Sequence, residues 1–452
     1  MSKGSQKKMK WWQLSLLGVG CIIGTGFFLG SSIAIRQAGP AVLVAFLFAA
    51  LATYIVFDSL AQLTAEQPQK GSFSAYAKKA FGHWAGFSNG WVYWSSEMLI
   101  MGSQLTALGI FTQFWFPNMP LWLLATIFGV LGLLVVLTGI NGFERFENIF
   151  AVVKVAAILM FIIIACLALF GVFEGDQEPA GAPTTYGQFL SNGWMGLWTS
   201  FIYAFYAFGG IEVMGIMANE LKDPKEGPKS GKVMLSLLTT IYLISIGLAL
   251  YLVSWDTFTT EDSPFVVALE QYNLSFVPHV FNGALVIAGF STMVASLYAI
   301  TTMLVTLAKA GDAPKALSKV GKKNIPYRAL SLTTSGLILS IVVSLLLPDK
   351  IYEYLTTAAG LMLLYTWLFI LLSFRKLMDL AAKGKIFNVV GMLLIILAVF
   401  GTLFDQASRP GFFISLLFLV LIGIVTLMMK KKWRNEKPSS DSNTLWDKYE
   451  KD

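Results

Sequence analysis

Charged residues are scarce in this chain, where Asp, Glu, Lys and Arg make up only 13% of the 452 residues. Soluble domains carry about a quarter charged residues. Hydrophobic residues make up 56% and occur in runs of about 20 or more. Runs of this length are favourable only in the interior of a bilayer. Such runs exclude the strands of a membrane barrel, which are short and alternate in polarity. The sequence therefore predicts an all-α integral membrane protein.

Cysteine and histidine are also rare, with two residues of each. Cys21 and Cys166 both lie inside apolar runs, which argues against a disulfide framework or a zinc ribbon. Neither His83 nor His279 has a metal-ligand partner at helical spacing. The sequence also lacks the motifs of zinc proteases, serine hydrolases and nucleotide-binding loops. We therefore expect no metal site and no cofactor, and we expect neither an enzyme nor an ATP-driven pump.

Apolar runs divide the chain into twelve predicted transmembrane helices. We predict these spans at residues 13–36, 40–65, 84–115, 121–140, 148–173, 194–219, 233–254, 279–308, 329–347, 351–373, 387–405 and 411–429. Together they form a single transmembrane domain over residues 13–429. The polar tails at 1–12 and 430–452 flank it, and an even number of spans puts both tails on one side.

The positions of the basic residues orient this domain. If the tails are cytoplasmic, only Arg36, Lys350 and Arg409 lie in outer segments, and Lys154 lies inside a span. Every other Lys or Arg of the 33 then lies on the cytoplasmic side, as the positive-inside rule requires. The net charge of +7 is thus a signal of topology, and we expect no nucleic-acid partner. We expect a multi-pass protein of the cell membrane with both termini in the cytoplasm.

Two of the predicted spans contain poor helix interiors. The first span holds five glycines between Gly18 and Gly30, and the sixth holds a Gly-Gly pair within Phe205–Glu212. Close packing through small residues would explain each motif alone. The two motifs, however, occupy corresponding places in two five-helix halves, which is typical of inverted-repeat transporters. Unwinding there would free N–H groups for a carboxylate and carbonyls for an ammonium, a combination that suits an amino acid.

The same two spans carry a family resemblance. The stretch Ile23–Gly30, Ile-Gly-Thr-Gly-Phe-Phe-Leu-Gly, resembles the opening motif of amino-acid permeases of the amino acid–polyamine–organocation superfamily. The stretch Gly209–Pro224 is similar to the second signature of that family. Ala310–Pro314, followed by Asn324-Ile-Pro326, is similar to its loop between the eighth and ninth spans. The resemblance runs from about residue 10 to about residue 430.

The resemblance implies a five-plus-five inverted repeat, the leucine-transporter-like fold, with two further helices at the C-terminal end. The repeats would cover residues 13–173 and 194–373, and the extra helices residues 387–429. It also implies a secondary transporter that moves an amino acid by alternating access, through proton symport or exchange. The alternative on the same fold is a membrane sensor that binds an amino acid without moving it; the short loops favour transport.

The resemblance assigns the substrate site to the two breaks. The substrate carboxylate would meet the backbone and side chains around Ile23, Thr25 and Gly26. The residues whose carbonyls would face the substrate ammonium are Ile22, Tyr206, Ala207 and Gly209. The ring of Phe208 or Tyr206 would act as a lid over the bound amino acid.

Ionisable residues inside spans are costly and suggest coupling groups. Lys154 could be a snorkelling lysine near the inner interface. Alternatively, it resembles the fifth-span lysine that some relatives use as an internal cation, and it would then carry the coupled proton. Hydroxyls in the eighth span, including Ser296, stand where sodium-coupled relatives place theirs. Such hydroxyls also bond their own helix backbone, so we expect protons rather than sodium.

Two acids complete the candidate set. Glu97 in the third span could contact the substrate ammonium, carry a proton, or serve only as a structural carboxylate. Glu212 follows the sixth-span break and could carry protons or brace the unwound segment. Gln104 lies seven residues after Glu97, where several relatives carry a Glu, and this departure weakens the case for a cationic substrate. We therefore favour a neutral amino acid.

Overall fold

The structure, a computed structural model, describes residues 9–67, 72–138, 140–173, 175, 178–218, 221–272, 274, 276–321, 325–346 and 350–435. Over these residues the chain is helical, and its β-structure there consists of two isolated bridges. The α-helices are α1 (Trp11–Ile22), α2 (Thr25–Phe28), α3 (Gly30–Ala38), α4 (Val42–Glu66), α5 (Ser72–Phe81), α6 (His83–Gln113), α7 (Leu121–Val136), α8 (Ile140–Leu169), α9 (Tyr186–Phe189), α10 (Gly193–Tyr206), α11 (Ile211–Met217), α12 (Gly227–Leu252), α13 (Pro264–Glu270), α14 (Val277–Lys309), α15 (Tyr327–Leu346), α16 (Ile351–Leu377), α17 (Ala382–Gly401) and α18 (Arg409–Asn435).

Several of these helices have the length and composition of membrane spans. Within the described residues, seven helical segments are long and apolar enough to cross a bilayer. They are Thr25–Glu66, Ile149–Leu169, Pro224–Leu252, Val277–Lys309, Ile351–Leu377, Ala382–Gly401 and Arg409–Lys430. The predicted helical membrane class is confirmed. Helices also lie at the other predicted spans, but the count of twelve crossings and the repeat symmetry stay predictions.

Both glycine-rich spans are interrupted. The first predicted span consists of α1, α2 and α3, with α1 ending at Ile22 and α2 starting at Thr25. The sixth consists of α10 and α11, separated by residues 207–210. The other helices in the spans predicted from the sequence have no comparable interruption over the described residues. The two breaks are therefore specific features of this fold.

One group of helices comprises α1, α4, α10, α11 and α12, which pack closely together. Small residues permit the close approach. A side chain at Gly18 of α1 would meet Met234 of α12, and one at Gly215 of α11 would lie 2.8 Å from Leu60 of α4. Without a hydrophobic driving force in lipid, such close packing is what holds transmembrane helices together.

A second group comprises α6, α7, α14 and α15. Here a Cβ at Gly90 of α6 would lie 2.7 Å from Leu307 of α14, and a Cβ at Gly132 of α7 would lie 2.8 Å from Met293 of α14. Helices α8 and α16 touch both groups. For example, the hydroxyl of Ser96 in α6 donates to the carbonyl of Ala359 in α16 at 3.1 Å. The breaks of α1/α2 and α10/α11 lie beside the first group and face the second. Helix α2 contacts α14, and the Tyr206 hydroxyl of α10 is 2.6 Å from the Ser103 hydroxyl of α6.

The contact between α4 and α12 offers a test of this packing. Gly231 of α12 lies against the ring of Phe57, which is almost fully buried, and an added Cβ would overlap that ring. Gly231→Ala should destabilise the purified protein by about 1–3 kcal/mol, because overpacking forces the ring or the helix to move. Thermal unfolding in detergent would measure the effect as a lower Tm.

Gly247 in the same helix is the matched control, because nothing lies within 4 Å of a Cβ added there. Gly247→Ala should leave the Tm unchanged or raise it, since Ala is favoured over Gly in a helix by about 1 kcal/mol. Equal effects of the two substitutions would contradict the packing of α12 on α4 described above.

Candidate functional site

The first break is a short extended segment. Helix α1 ends as the Ile23 N–H donates to the Val19 carbonyl, and Gly24 is extended with φ −157° and ψ −163°. The N–H groups of Phe27 and Phe28 then donate to the Gly24 carbonyl, which starts α2. The first N–H groups of a helix have no partner inside it. The donors of this new N-terminus therefore point into the break.

The second break follows the end of α10 at Tyr206. Gly210 has φ +103°, a conformation that residues with a Cβ rarely adopt, and α11 begins directly after it. One freed carbonyl already has a partner, because the Tyr242 hydroxyl of α12 donates to the Ala207 oxygen at 3.0 Å. The Gly209 N–H donates to the Tyr206 carbonyl. The polar backbone groups of this break are thus partly hydrogen-bonded within the first group of helices.

The two breaks touch each other. A Cβ at Gly26 would lie 2.8 Å from the ring of Tyr206 and 3.2 Å from its carbonyl oxygen. A Cβ at Gly210 would lie 3.7 Å from the Ile22 side chain. The start of α2 therefore lies beside the end of α10, and the start of α11 lies beside the end of α1. The structure brings the predicted substrate residues of both spans to one place.

The two candidate lid aromatics have different surroundings. The Tyr206 hydroxyl is 2.6 Å from the Ser103 hydroxyl of α6, so this side chain links the break to the second helix group. The Phe208 ring is fully buried and packs against Tyr242, with ring centroids 5.1 Å apart, and against Phe46. Of these two residues, Tyr206 contributes the three atoms nearest to a Cβ added at Gly26.

Thr25 presents an available oxygen at the first break. Its side chain is only 1% exposed, and among the described residues its hydroxyl oxygen has no hydrogen-bond partner. Its backbone carbonyl accepts from the Tyr352 hydroxyl of α16 at 3.0 Å. Its methyl group lies 3.0 Å from the Cβ position of Gly289 in α14. A buried hydroxyl without a partner is costly, which favours a ligand there.

The two candidate acids are both buried near the breaks. The Glu97 carboxyl on α6 interacts with the hydroxyls of Ser296 on α14 and Tyr93 on its own helix. The Glu212 carboxyl accepts from the Trp367 ring N–H of α16 at 3.2 Å. Tyr93 lies within electrostatic range of both carboxyl groups. The structure therefore brings Glu97 and Glu212 to the same region.

Lys154 is fully buried in α8. A snorkelling lysine would instead keep its ammonium in water. Ala151, one turn earlier on the same face, lies 2.7 Å from the Cβ position of Gly20 in α1. Lys154 thus stands on the face of α8 that packs against the broken span, and the residue has an interaction partner within the protein.

Several side chains at the breaks were not predicted from the sequence. Tyr352, Tyr242 and Ser103 hydrogen-bond to residues of the breaks, yet each sits in an unremarkable apolar run. Gln104, in contrast, was singled out by its spacing from Glu97, and its side-chain oxygen is buried without a partner in the described chain. The described residues contain no group of three or more His, Cys, Asp or Glu that could hold a metal ion.

A separate groove lies away from the breaks. It has a volume of about 660 Å³ and lies between the start of α4, the end of α12 and the loop before α10. Residues Pro40, Tyr251 and Trp255 are among those that line it. None of the predicted site residues lines this groove.

Comparison with known proteins matches this amino-acid sequence to a protein family. The family model described as "Amino acid permease" matches residues 13–439. The chain is 59% identical over 433 residues to "Uncharacterized transporter YcgH" of Bacillus subtilis (strain 168), covering 96% of this chain and 97% of that protein. It is 30% identical over 438 residues to "Aromatic amino acid transport protein AroP" of Salmonella typhimurium (strain SL1344), covering 94% and 95%. It is also 30% identical to the AroP protein of Escherichia coli (strain K12) over 430 residues, covering 92% and 94%. The chain therefore belongs to the amino acid permease family of the amino acid–polyamine–organocation superfamily, and it is a membrane transporter rather than an enzyme.

Proposed function

We propose that this protein is a secondary transporter that moves a neutral amino acid across the cell membrane by proton symport or exchange. It would have twelve spans, both termini in the cytoplasm, and a five-plus-five inverted repeat followed by two helices. The observation that carries the proposal is the contact of the two breaks, where Gly26 lies against Tyr206. Two half-helix ends at one point in a bilayer offer donors and acceptors to one small ligand.

A zwitterion would bind at this point through the backbone. Its carboxylate would accept hydrogen bonds from the N–H groups at the start of α2 and from the Thr25 hydroxyl. Its ammonium would donate to the freed carbonyls near Ile22, Tyr206 and Gly209. Each interaction is strong here because the site is shielded from water by buried helices. The AroP relatives are named for aromatic amino acids, which are members of the neutral class.

The buried ionisable groups would supply the coupling. An ammonium in the membrane interior is costly, and loss of its proton would relieve that cost. We propose that Lys154 gains and loses the coupled proton beside α1, so that its charge controls how α1 packs. Glu97 and Glu212 would accept protons on the opposite side of the breaks. Movement of the first helix group, which contains α1 and α10, against the second, which contains α6 and α14, would then expose the site alternately to each side of the membrane.

Substitution of Lys154 tests the coupling. In proteoliposomes with an acidic exterior, Lys154→Ala and Lys154→Met should abolish uphill accumulation of a radiolabelled neutral amino acid, because neither side chain carries a proton. The matched control is Lys309→Ala, at the exposed end of α14, which should accumulate substrate like the wild type. Uphill uptake at the wild-type rate in either Lys154 variant would disprove this role. Wild-type protein that binds an amino acid but never accumulates it would indicate a sensor instead.

Substitution of Gly26 tests the position of the site. A Cβ there would press on the ring and carbonyl of Tyr206, so Gly26→Ala should weaken substrate binding by about tenfold or more, equivalent to about 1.4 kcal/mol. Substrate-induced thermal stabilisation would measure the apparent Kd. Gly30→Ala is the control, since a Cβ there meets only the Tyr352 hydroxyl, at 3.7 Å. Equal affinities in Gly26→Ala and wild-type protein would place the substrate elsewhere.

A further inference from the structure

Three buried polar side chains on one face of α6, which we call the polar file, run from the level of the two breaks toward the start of the helix. Asn89, Tyr93 and Glu97 are spaced by four residues, so their side chains lie above one another on the helix. Eight residues of helix span about 12 Å. Glu97 stands at the level of the breaks and interacts with Tyr93. Asn89 therefore lies closer to the N-terminal end of α6, at His83. We place this end at the cytoplasm.

Asn89 is the unexplained member of this file. Its side chain is fully buried, and neither its amide nitrogen nor its amide oxygen has a partner in the described chain. A buried amide without hydrogen bonds is strongly disfavoured, and an Ala or Leu would pack at this position without that cost. Two unpaired polar atoms side by side are what a buried water requires. The position therefore suits the binding of a water molecule rather than a structural contact.

Helix α5 covers the file from the cytoplasmic side. The Phe73 ring packs edge-on against the Tyr93 ring, with centroids 4.7 Å apart, and Phe73 is 2% exposed. Closer to the end of α6, Gly86 brings the two helices into tight contact. A Cβ there would lie 2.6 Å from the Lys78 Cβ and 3.0 Å from the Ser74 carbonyl oxygen. The file is thus closed by α5, a short helix of 10 residues that packs on α6 and carries Lys78 and Lys79 in its last turn.

We propose that Asn89 is a positioning residue that holds water at the inner end of a proton exit route from Glu97. This inference rests on the proposed function and deepens it. When α5 moves aside, the Glu97 carboxyl releases its proton to water that bridges Tyr93 and Asn89. The carboxyl becomes a carboxylate, and the proton leaves as hydrated proton on the cytoplasmic side. Asn89 itself neither gains nor loses a proton.

The test separates net transport from exchange in proteoliposomes. Net uptake requires the proton to leave on the inner side, whereas exchange lets the loaded carrier return with its proton. Asn89→Leu, which removes the polar atoms at similar size, should slow net proton-driven uptake by about tenfold or more and leave exchange within about twofold. Asn89→Ser, which leaves a hydroxyl and space for water, should recover most of the net uptake. The Tm of Asn89→Leu should stay equal to that of the wild type or rise.

The neighbouring Ser88 supplies the control, because its hydroxyl points to Thr426 of α18 at 2.9 Å and not into the file. Ser88→Ala should leave both modes unchanged. Equal slowing of net uptake and exchange by Asn89→Leu, or a lower Tm, would show that Asn89 is structural and overturn the inference. Unchanged net uptake would overturn it as well. Wild-type protein without proton-driven uptake would instead refute the proposed function, so the two failures are distinct.

Discussion

The arrangement of this protein depends on the rule that backbone N–H and C=O groups in a bilayer must find partners within the protein. Unpaired carbonyl and amide groups at a break would be too costly in lipid, so a broken helix has to be surrounded by other helices. Here the Tyr242 hydroxyl donates to the freed Ala207 carbonyl, and the Tyr352 hydroxyl donates to the Thr25 carbonyl, which also accepts from the Leu29 N–H. The same rule leaves the remaining polar groups oriented toward each other at the point where Gly26 meets Tyr206. The proposed binding of a small polar ligand and the stability of the fold would therefore follow from one constraint.

Much of the fold could be predicted from the sequence because its signals are local. Long apolar runs predict helices in lipid, and glycines within Gly18–Gly30 and at Gly209 and Gly210 predict the two interruptions that the structure contains. The bounds of the breaks were harder to predict, since only two extended residues, Ile23 and Gly24, separate α1 from α2. Which helices pack against each other could also not be predicted from the sequence. It depends on which small residue meets which side chain, as Gly90 meets Leu307, and no sequence period encodes that.

The candidate site was only partly predictable. The glycine-rich breaks and the ionisable side chains Glu97, Glu212 and Lys154 stand out because glycine pairs and ionisable residues are rare in apolar runs. The supporting hydroxyls do not stand out, since Tyr and Ser recur throughout such spans and only the fold shows which ones reach the breaks. Asn89 illustrates the same limit. It stands out because its buried amide has no hydrogen-bond partner among the described residues, and the packing of α5 and α14 around α6 is needed to see this.

A cryo-EM structure of the protein with a bound neutral amino acid tests the central claim most directly, because the claim is that both breaks hold one zwitterion. The account predicts the ligand carboxylate within hydrogen-bond distance of the N–H groups at Thr25 and Gly26, and the ligand ammonium facing the carbonyls near Ile22 and Tyr206. Ligand density confined to the groove lined by Trp255, with the breaks closed upon each other, would contradict it.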